Sequence, residues 1–183
     1  MAAYFALLVA VLSRILPFAV HSTGVGFNAV GGGLLYFGAR RSRWHAIAGV
    51  VALMATDFYL TLFVYKYAFH VSEYLVTWLW YAGVCLLGHQ VLSRKQSAMR
   101  VAGAVLATST SFFILSNFEV WASGTMYAHS LAGLAECYVA AIPFYANDMM
   151  STAVTAGAFF GLPALARNVA ATVREGLHNQ RPA

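Results

Sequence analysis

Long apolar runs recur along the chain from its first residues to about Arg167, with short polar segments between them. Crossing the hydrocarbon core of a bilayer takes about 20 helical residues. The runs are continuous, whereas the strands of a membrane β-barrel alternate between apolar and polar positions. The pattern therefore predicts an all-α integral membrane protein with six transmembrane helices, at residues 2–20, 25–39, 45–66, 71–92, 98–120 and 146–167.

One further apolar run, 130–142, is followed by Pro143. Proline interrupts the hydrogen bonding of a helix interior, and the run is too short to cross a bilayer. We therefore expect a short outer helix between spans five and six. No polar linker or repeat divides the chain, so we predict one six-helix membrane domain at 1–167 and a polar cytoplasmic tail at 168–183.

The composition supports a membrane location. Hydrophobic residues make up 61% of the 183 residues and charged residues 9%, against about 25% charged in soluble domains. A chain with so few charges cannot cover a water-facing surface. Its two cysteines, Cys85 and Cys137, are too few for a disulfide framework and form no CxxC pair.

The basic residues predict the orientation. Nine of the eleven Lys and Arg residues fall on one side of the six-span layout, and the positive-inside rule assigns that side to the cytoplasm. Both termini are then cytoplasmic. The net charge of +5 reflects these topology signals, so we expect the lipid bilayer as a partner and no nucleic acid. The nine residues are Arg40, Arg41, Arg43, Arg94, Lys95, Arg100, Arg167, Arg174 and Arg181.

Two charged residues lie deep within predicted spans, Arg14 in the first and Asp57 in the third. Each lies twelve residues from the cytoplasmic start of its span, and a rise of about 1.5 Å per residue places both about 18 Å deep. A charge at that depth costs about 2.5–3.5 kcal/mol. We therefore predict a buried Arg14–Asp57 ion pair, which either clasps two helices together or contacts a ligand.

Polar and aromatic residues concentrate on the predicted outer side of this pair. A pocket for a polar molecule needs aromatic walls and a few hydrogen-bonding groups, although Trp and Tyr also collect in an interfacial belt without any ligand. We expect the aromatic residues to line a site and the polar ones to hydrogen-bond its ligand, with Arg14 and Asp57 as the floor. The candidates are His21, Asn28, Trp78, Asn117, Trp121, Tyr127, His129, Tyr138, Asn147 and Asp148.

Two other classes of function remain open. His45 and His89 lie near cytoplasmic span ends, and Cys85 shares a helix face with His89. These residues could hold a haem or a metal in a redox subunit, although two ligands do not make a metal site. Alternatively, the outer aromatic residues could contact another chain of a larger membrane complex. No hydrolase or nucleotide-binding motif is present, so we expect neither an enzyme nor a cofactor.

The first span carries Ala2, Ala6 and Ala10 at four-residue spacing. Small residues at this spacing let two membrane helices approach closely. We therefore expect this face to pack against another membrane helix.

Four segments carry a resemblance to a known family: "SRILP" at 13–17, "TDFYL" at 56–60, "SNFEVW" at 116–121 and "LAGLAECYVAAIPFYAN" at 131–147. They resemble a family of bacterial membrane proteins that is similar to the S components of energy-coupling-factor (ECF) vitamin transporters. The similarity covers about residues 10 to 162 and is most specific in 116–147.

This resemblance implies six helices in the bacterial inner membrane and capture of a small polar, vitamin-like nutrient near the outer face. It also implies a coupling subunit that meets the alanine face of the first helix, although some solitary relatives work without a dedicated one. Segments 66–74 and 118–146 would close over the ligand. The chain departs from the family pattern in a loop without prolines at 18–29, in Glu119, which replaces an expected glycine, and in Ser151 and Thr152, which stand where a Gly-Asp pair is expected. Because these departures fall in regions that would contact the substrate, its identity stays open.

Overall fold

The computed structural model describes residues 1–19 and 26–179, and in these ranges the chain is helical without any strand. Seven α-helices follow one another: α1 (Ala2–Ala19), α2 (Val30–Arg40), α3 (Ala46–Tyr59), α4 (Leu75–Leu92), α5 (Ala98–Ser123), α6 (Leu131–Ala156) and α7 (Leu162–Asn179). Short 3-10 turns occupy Arg43–His45 and Val71–Glu73. The prediction of an all-helical chain is confirmed.

Two π-helical segments extend these helices. Leu60–Tyr65 continues α3, and Gly157–Gly161 joins α6 to α7 without a break. Four of the resulting helical stretches in the described part of the chain are long and apolar enough to cross a membrane: Arg43–Tyr65, Leu75–Leu92, Ala98–Ser123 and Leu131–Arg174. Two of the predicted spans are shorter in the structure, since the apolar part of α1 covers Ala2–Leu16 and α2 has 11 residues.

Serine side chains begin two of the long helices. The Oγ atom of Ser97 accepts a hydrogen bond from the backbone N–H of Arg100 at the start of α5. The Oγ atom of Ser130 accepts one from Gly133 at the start of α6. Serine at this position satisfies one of the N–H groups that a helix start leaves unpaired.

The prediction of a short outer helix between spans five and six is wrong. Residues 131–142 form the first half of α6, which continues through Pro143 to Ala156. Proline in a helix loses one backbone hydrogen bond, and neighbouring helices often support the chain across such a gap in membrane proteins. Here α5 packs along α6 on both sides of Pro143, with Tyr138 bonded to Ile114 before it and Tyr145 bonded to Thr110 after it.

The helix α2 forms the centre of the bundle. It contacts α1, α4, α5 and α6, and every residue from Val30 to Ala39 is buried. Its glycines permit this close packing: a Cβ at Gly38 would lie 2.0 Å from the carbonyl oxygen of Cys85 on α4, and one at Gly32 would lie 2.7 Å from Cβ of Thr155 on α6. Glycine in a membrane helix therefore serves here as a contact between backbones.

The alanine face of α1 packs against α2 of the same chain. Ala6 and Ala10 are completely buried, and a Cβ at Gly33 would lie 3.0 Å from Cβ of Ala10 and from the carbonyl oxygen of Ala6. Ala2 alone of the three alanines is exposed. The face is thus a helix-packing surface, as its spacing predicts, but its partner is internal. In this structure Ala6 and Ala10 are not available to a coupling subunit.

Large apolar side chains cover much of the outside of the bundle. Ile47, Val51, Phe58, Leu79 and Leu106 are between 48% and 72% exposed. Exposed apolar area on this scale marks contact with lipid or another protein.

Arg40 at the end of α2 and Arg100 at the start of α5 both contact the region where α4 ends and the loop to α5 begins. The Nη2 atom of Arg40, at the end of α2, donates to Oε1 of Gln96 in the loop between α4 and α5, at 3.2 Å. The Nη1 atom of Arg100 donates to the carbonyl oxygen of Val91. The predicted grouping of residues 40–43 with 94–100 on one side is thus present in the structure.

Candidate functional site

The predicted Arg14–Asp57 pair forms the centre of the site. The Nη1 atom of Arg14 lies 2.5 Å from Oδ1 of Asp57 and also donates to the hydroxyl oxygen of Tyr81 at 2.8 Å. The second carboxylate oxygen, Oδ2, accepts a hydrogen bond from Nε1 of Trp78 at 2.9 Å. The ion pair is confirmed, and α4 supplies two residues, Trp78 and Tyr81, that hold it in place.

The two charges differ in their access to solvent. The side chain of Asp57 is 1% exposed and that of Arg14 is 22% exposed. Asp57 therefore depends on its protein partners for compensation of its charge, whereas Arg14 also faces an open space. Buried ion pairs need such additional hydrogen bonds to offset the loss of water.

Asp57 stands two residues before the end of α3, where the helix widens into the π-helical segment Leu60–Tyr65. The hydroxyl group of Thr61 bonds to the carbonyl oxygen of Asp57 at 2.8 Å and to the hydroxyl group of Tyr74 at 2.5 Å. Lys66 then ends the segment in the left-handed conformation, with φ of 58°. Such π-helical turns occur frequently at functional sites.

A stack of aromatic rings from the 66–74 loop and α4 covers Asp57. The ring centroids of Phe69 and Tyr74 lie 4.9 Å apart and those of Tyr74 and Trp78 lie 5.8 Å apart, with nearly parallel planes in both pairs. Because Trp78 also donates to Asp57, the stack connects the loop to the buried ion pair.

A cavity of about 220 Å³ opens above the ion pair, and we call it the central cavity. Its lining combines one cation, three acids and several aromatic side chains, and each of the helices α1 to α6 contributes at least one residue to it. The lining residues are Arg14, Asn28, Val30, Asp57, Glu73, Tyr74, Thr77, Trp80, Tyr81, Phe112 and Asp148. Four of the predicted site residues, Arg14, Asn28, Asp57 and Asp148, are therefore brought together here.

A second cavity of about 150 Å³, the side cavity, lies between α5 and α6. Phe112 and Asp148 line both cavities, so the two spaces are neighbours separated by these side chains. The predicted residue Asn117 lines the side cavity together with Ser109, Ser116 and Tyr145 among others. Its Nδ2 atom donates to the carbonyl oxygen of Phe113 at 2.7 Å, which leaves its side-chain oxygen free of any described bond.

Several predicted wall residues line neither cavity. Nε1 of Trp121 donates to the carbonyl oxygen of Ala128 and the imidazole of His129 bonds to the carbonyl oxygen of Gly124, so both side chains close the turn between α5 and α6. Tyr127 lies in the same turn.

Tyr138 and Asn147 also contribute contacts between elements. The hydroxyl group of Tyr138 donates to the carbonyl oxygen of Ile114 at 2.8 Å, which ties α6 to α5. Nδ2 of Asn147 donates to the carbonyl oxygen of Gly26 at 3.1 Å, which ties α6 to the segment before α2. His21 lies outside the described residues. For all of these residues a direct part in ligand binding stays a prediction.

The structure adds residues that the sequence analysis did not select. Tyr81 is one turn beyond Thr77 on α4, and this spacing places polar groups on one face of an apolar helix. Trp80 donates through Nε1 to the hydroxyl oxygen of Ser111 at 3.0 Å and packs on Phe112. The signal for Ser111 and its neighbours is the hydroxyl run "TSTS" at 108–111 inside a predicted span.

The residues considered for a haem or metal are engaged elsewhere. The Nδ1 atom of His89 bonds to the carbonyl oxygen of Arg41 at 3.0 Å, and that of His45 bonds to the hydroxyl group of Ser42 at 2.8 Å. Cys85 is buried against α2 and α3. In the described ranges, no group of three or more His, Cys, Asp or Glu residues is placed to hold a metal ion.

Comparison with known proteins gives one match. No curated protein and no solved structure is significantly similar to this chain. A family model covers residues 1–174, which is nearly the whole length of the chain. The chain therefore belongs to the family described as "Family of unknown function (DUF6580)".

Proposed function

We propose that this protein captures a small polar nutrient at the central cavity and mediates its uptake through the bacterial inner membrane. In this proposal the chain crosses the membrane six times, with both termini and the basic end of the bundle in the cytoplasm, as the positive-inside rule favours. The central cavity then opens outward. The resemblance to ECF S components supports the same assignment.

The observation that carries the proposal is a polar, partly open cavity inside an otherwise apolar bundle. Charged residues in a membrane interior are costly and mark sites of function. The Arg14–Asp57 pair forms the floor, while Asn28, Glu73 and Asp148 offer further polar groups around the space. Aromatic side chains on the walls suit stacking against an unsaturated ring.

The charges of the lining favour a ligand with a positive group. Asp57, Glu73 and Asp148 provide three carboxylates, while Arg14 provides one guanidinium group that Asp57 already pairs. A protonated amine or a cationic heterocycle would complement the remaining acids, because opposite charges in a water-poor site attract strongly. We therefore propose a small cationic or amine-bearing nutrient.

A thermal-shift screen tests this proposal. Detergent-purified protein is heated with individual water-soluble vitamins and related amines, beside matched neutral and anionic analogues, and native mass spectrometry records any retained non-lipid mass. We expect a cationic or amine-bearing compound to raise the melting temperature of the wild type. Glu73→Gln should weaken that effect, because it removes one lining charge without changing the side-chain volume.

Glu136→Gln is the matched control, since Glu136 is exposed on α6 and lines neither cavity. Equal responses of Glu73→Gln and wild type to every compound would contradict the site assignment, as would a wild type that responds to none. A haem absorbance band would move the assignment to a redox subunit. Purification only together with a second protein would move it to an accessory subunit of a larger complex.

A further inference from the structure

Four buried oxygen atoms without a hydrogen bond of good geometry in the described structure lie where α2, α5 and α6 meet, although the hydroxyl group of Ser109 is close enough to Asp148 to act on its carboxyl group. They are Oγ1 of Thr108, Oγ of Ser109, Oδ2 of Asp148 and Oγ1 of Thr152. The side chains of Thr108, Ser109 and Thr152 are completely buried. Polar atoms in a membrane interior are normally paired, because lipid offers no replacement for water. This group of atoms therefore needs an explanation.

The contacts of these residues place them at the interface of α5 and α6, beside α2. A Cβ at Gly31 of α2 would lie 2.6 Å from Oγ1 of Thr152 and 3.2 Å from Cγ2 of Thr108, so the two threonines flank the same residue. Asp148 precedes Thr152 by four residues and shares its helix face. Ser109 and Asp148 line the side cavity together. Helices α5 and α6 thus bring one carboxyl group and three buried hydroxyl groups to their shared interface beside α2.

The side chain of Asp148 is half-buried and its Oδ2 atom is enclosed, so an ionised Asp148 would be stabilised by a positive partner. Within the described residues, the ion pair in the bundle joins Arg14 to Asp57, and Arg14 is further engaged with Tyr81. At the start of α2, the backbone N–H of Val30 donates to Oδ1 of Asn28 and that of Ala29 donates to Oγ of Ser13, so these two groups are not available to Asp148. Buried water can satisfy hydroxyl groups, but it leaves a buried charge uncompensated.

We propose that this junction binds a small monovalent cation, with sodium as the probe ion. Hydroxyl and carboxylate oxygens are the ligands that hard cations prefer. A single carboxylate matches a single positive charge, whereas calcium sites combine six to eight oxygen ligands and usually several carboxylates. In other membrane proteins, ions that couple to transport bind near the middle of the membrane.

The proposed cation site does not require that the protein takes up a nutrient. The cation site is defined by Thr108, Ser109, Asp148 and Thr152, and its occupancy can be measured without any organic ligand. Because Asp148 also lines the central cavity, bound cation and bound ligand would influence each other's affinity reciprocally. That coupling is a consequence of the site and not a condition for it.

The test is a sodium titration of the detergent-purified protein. NaCl replaces KCl at constant ionic strength, while the melting temperature is recorded and sodium binding is followed by ²³Na NMR. We expect a saturable, sodium-specific stabilisation of the wild type. Asp148→Asn should weaken the apparent affinity at least about tenfold, since loss of even an outer-shell partner changes metal affinity about 10–100-fold. Thr152→Val should weaken it in the same direction.

Thr155→Val is the matched control, because the hydroxyl group of Thr155 is buried on the same helix but already donates to the carbonyl oxygen of Ser151. The proposal is overturned if the wild type responds equally to sodium and potassium, which would leave Asp148 protonated or hydrated. It is also overturned if Asp148→Asn and Thr152→Val respond like the wild type. Should Thr152→Val fail to fold, Thr108→Val replaces it and the wild-type titration still decides.

Discussion

Replacing Arg14 by methionine should destabilise the protein by about 3–5 kcal/mol, the usual cost of removing one partner from a buried ion pair. The carboxylate of Asp57 is 1% exposed and would retain the hydrogen bond from Nε1 of Trp78 and the neighbouring hydroxyl group of Tyr81, but no positive charge. Water that enters the central cavity can offer hydrogen bonds to Asp57 but no positive charge. The side chain of methionine preserves most of the volume, so the loss reports on the charge and less on packing.

The complementary change, Asp57→Asn, should cost less. The amide keeps an acceptor for Trp78, and the guanidinium group of Arg14 keeps Tyr81 and a side chain that is 22% exposed. We expect about 1.5–3 kcal/mol, the range for hydrogen bonds that involve a charged group. In the double variant no uncompensated charge remains, and its cost should fall below the sum of the single costs by about 1–3 kcal/mol.

The assay is unfolding in mixed micelles, in which the fraction of SDS is raised and tryptophan fluorescence and circular dichroism are followed. If the two single costs add to within about 0.5 kcal/mol, the side chains do not interact. A cost below about 1 kcal/mol for Arg14→Met would show that Asp57 is not a buried charge. The double variant also separates a structural clasp from a ligand contact. A clasp predicts that it responds to the same compounds as the wild type, and a ligand contact predicts that it does not.

Two further predictions concern packing and orientation. Gly88→Ala should lower the free energy of unfolding by about 1–3 kcal/mol or more, because its Cβ would clash with the carbonyl oxygen of Leu35. Gly83→Ala on the same helix has free space for its Cβ and should raise the free energy of unfolding by about 0.5–1 kcal/mol. Equal effects of the two substitutions in the same unfolding assay would contradict the close contact of α2 with α4. In a background without native cysteines, a membrane-impermeant maleimide added to intact cells should label Met126→Cys and spare Ser97→Cys. The reverse pattern would invert the proposed orientation.

The sequence was sufficient to predict the ion pair because depth is a simple function of helical rise. Arg14 and Asp57 are each twelve residues from the start of their predicted spans, and the structure pairs them directly. The same reasoning did not find Trp78 as the second partner of Asp57, because that contact depends on the rotation of α4 about its axis. Periodicity cannot fix this rotation in a helix that is apolar on almost every side.

The length of α2 and the course of α6 were not predictable by the same rules. The apolar run at 25–39 continues through residues that the structure leaves outside α2, whose first residue is Val30. Apolar composition does not distinguish a helix from an apolar non-helical segment in a buried position. At Pro143 the sequence predicted the end of a helix where the structure has a continuous one, because contacts with α5 support α6 on both sides of the proline.

The unpaired hydroxyl groups of Thr108, Ser109 and Thr152 are the feature of the structure that composition predicts least. Serine and threonine are ordinary residues in membrane helices, where they usually bond to the carbonyl oxygen one turn earlier, as Thr155 does. Nothing in the letters of Thr108, Ser109 and Thr152 indicates that these three do not. The three hydroxyl groups come close to Asp148 only in the fold, where α5 and α6 pack together beside α2. The cation site is therefore a property of the packing around α2. The glycines of α2 that permit this packing are therefore as necessary to the site as the oxygen atoms themselves.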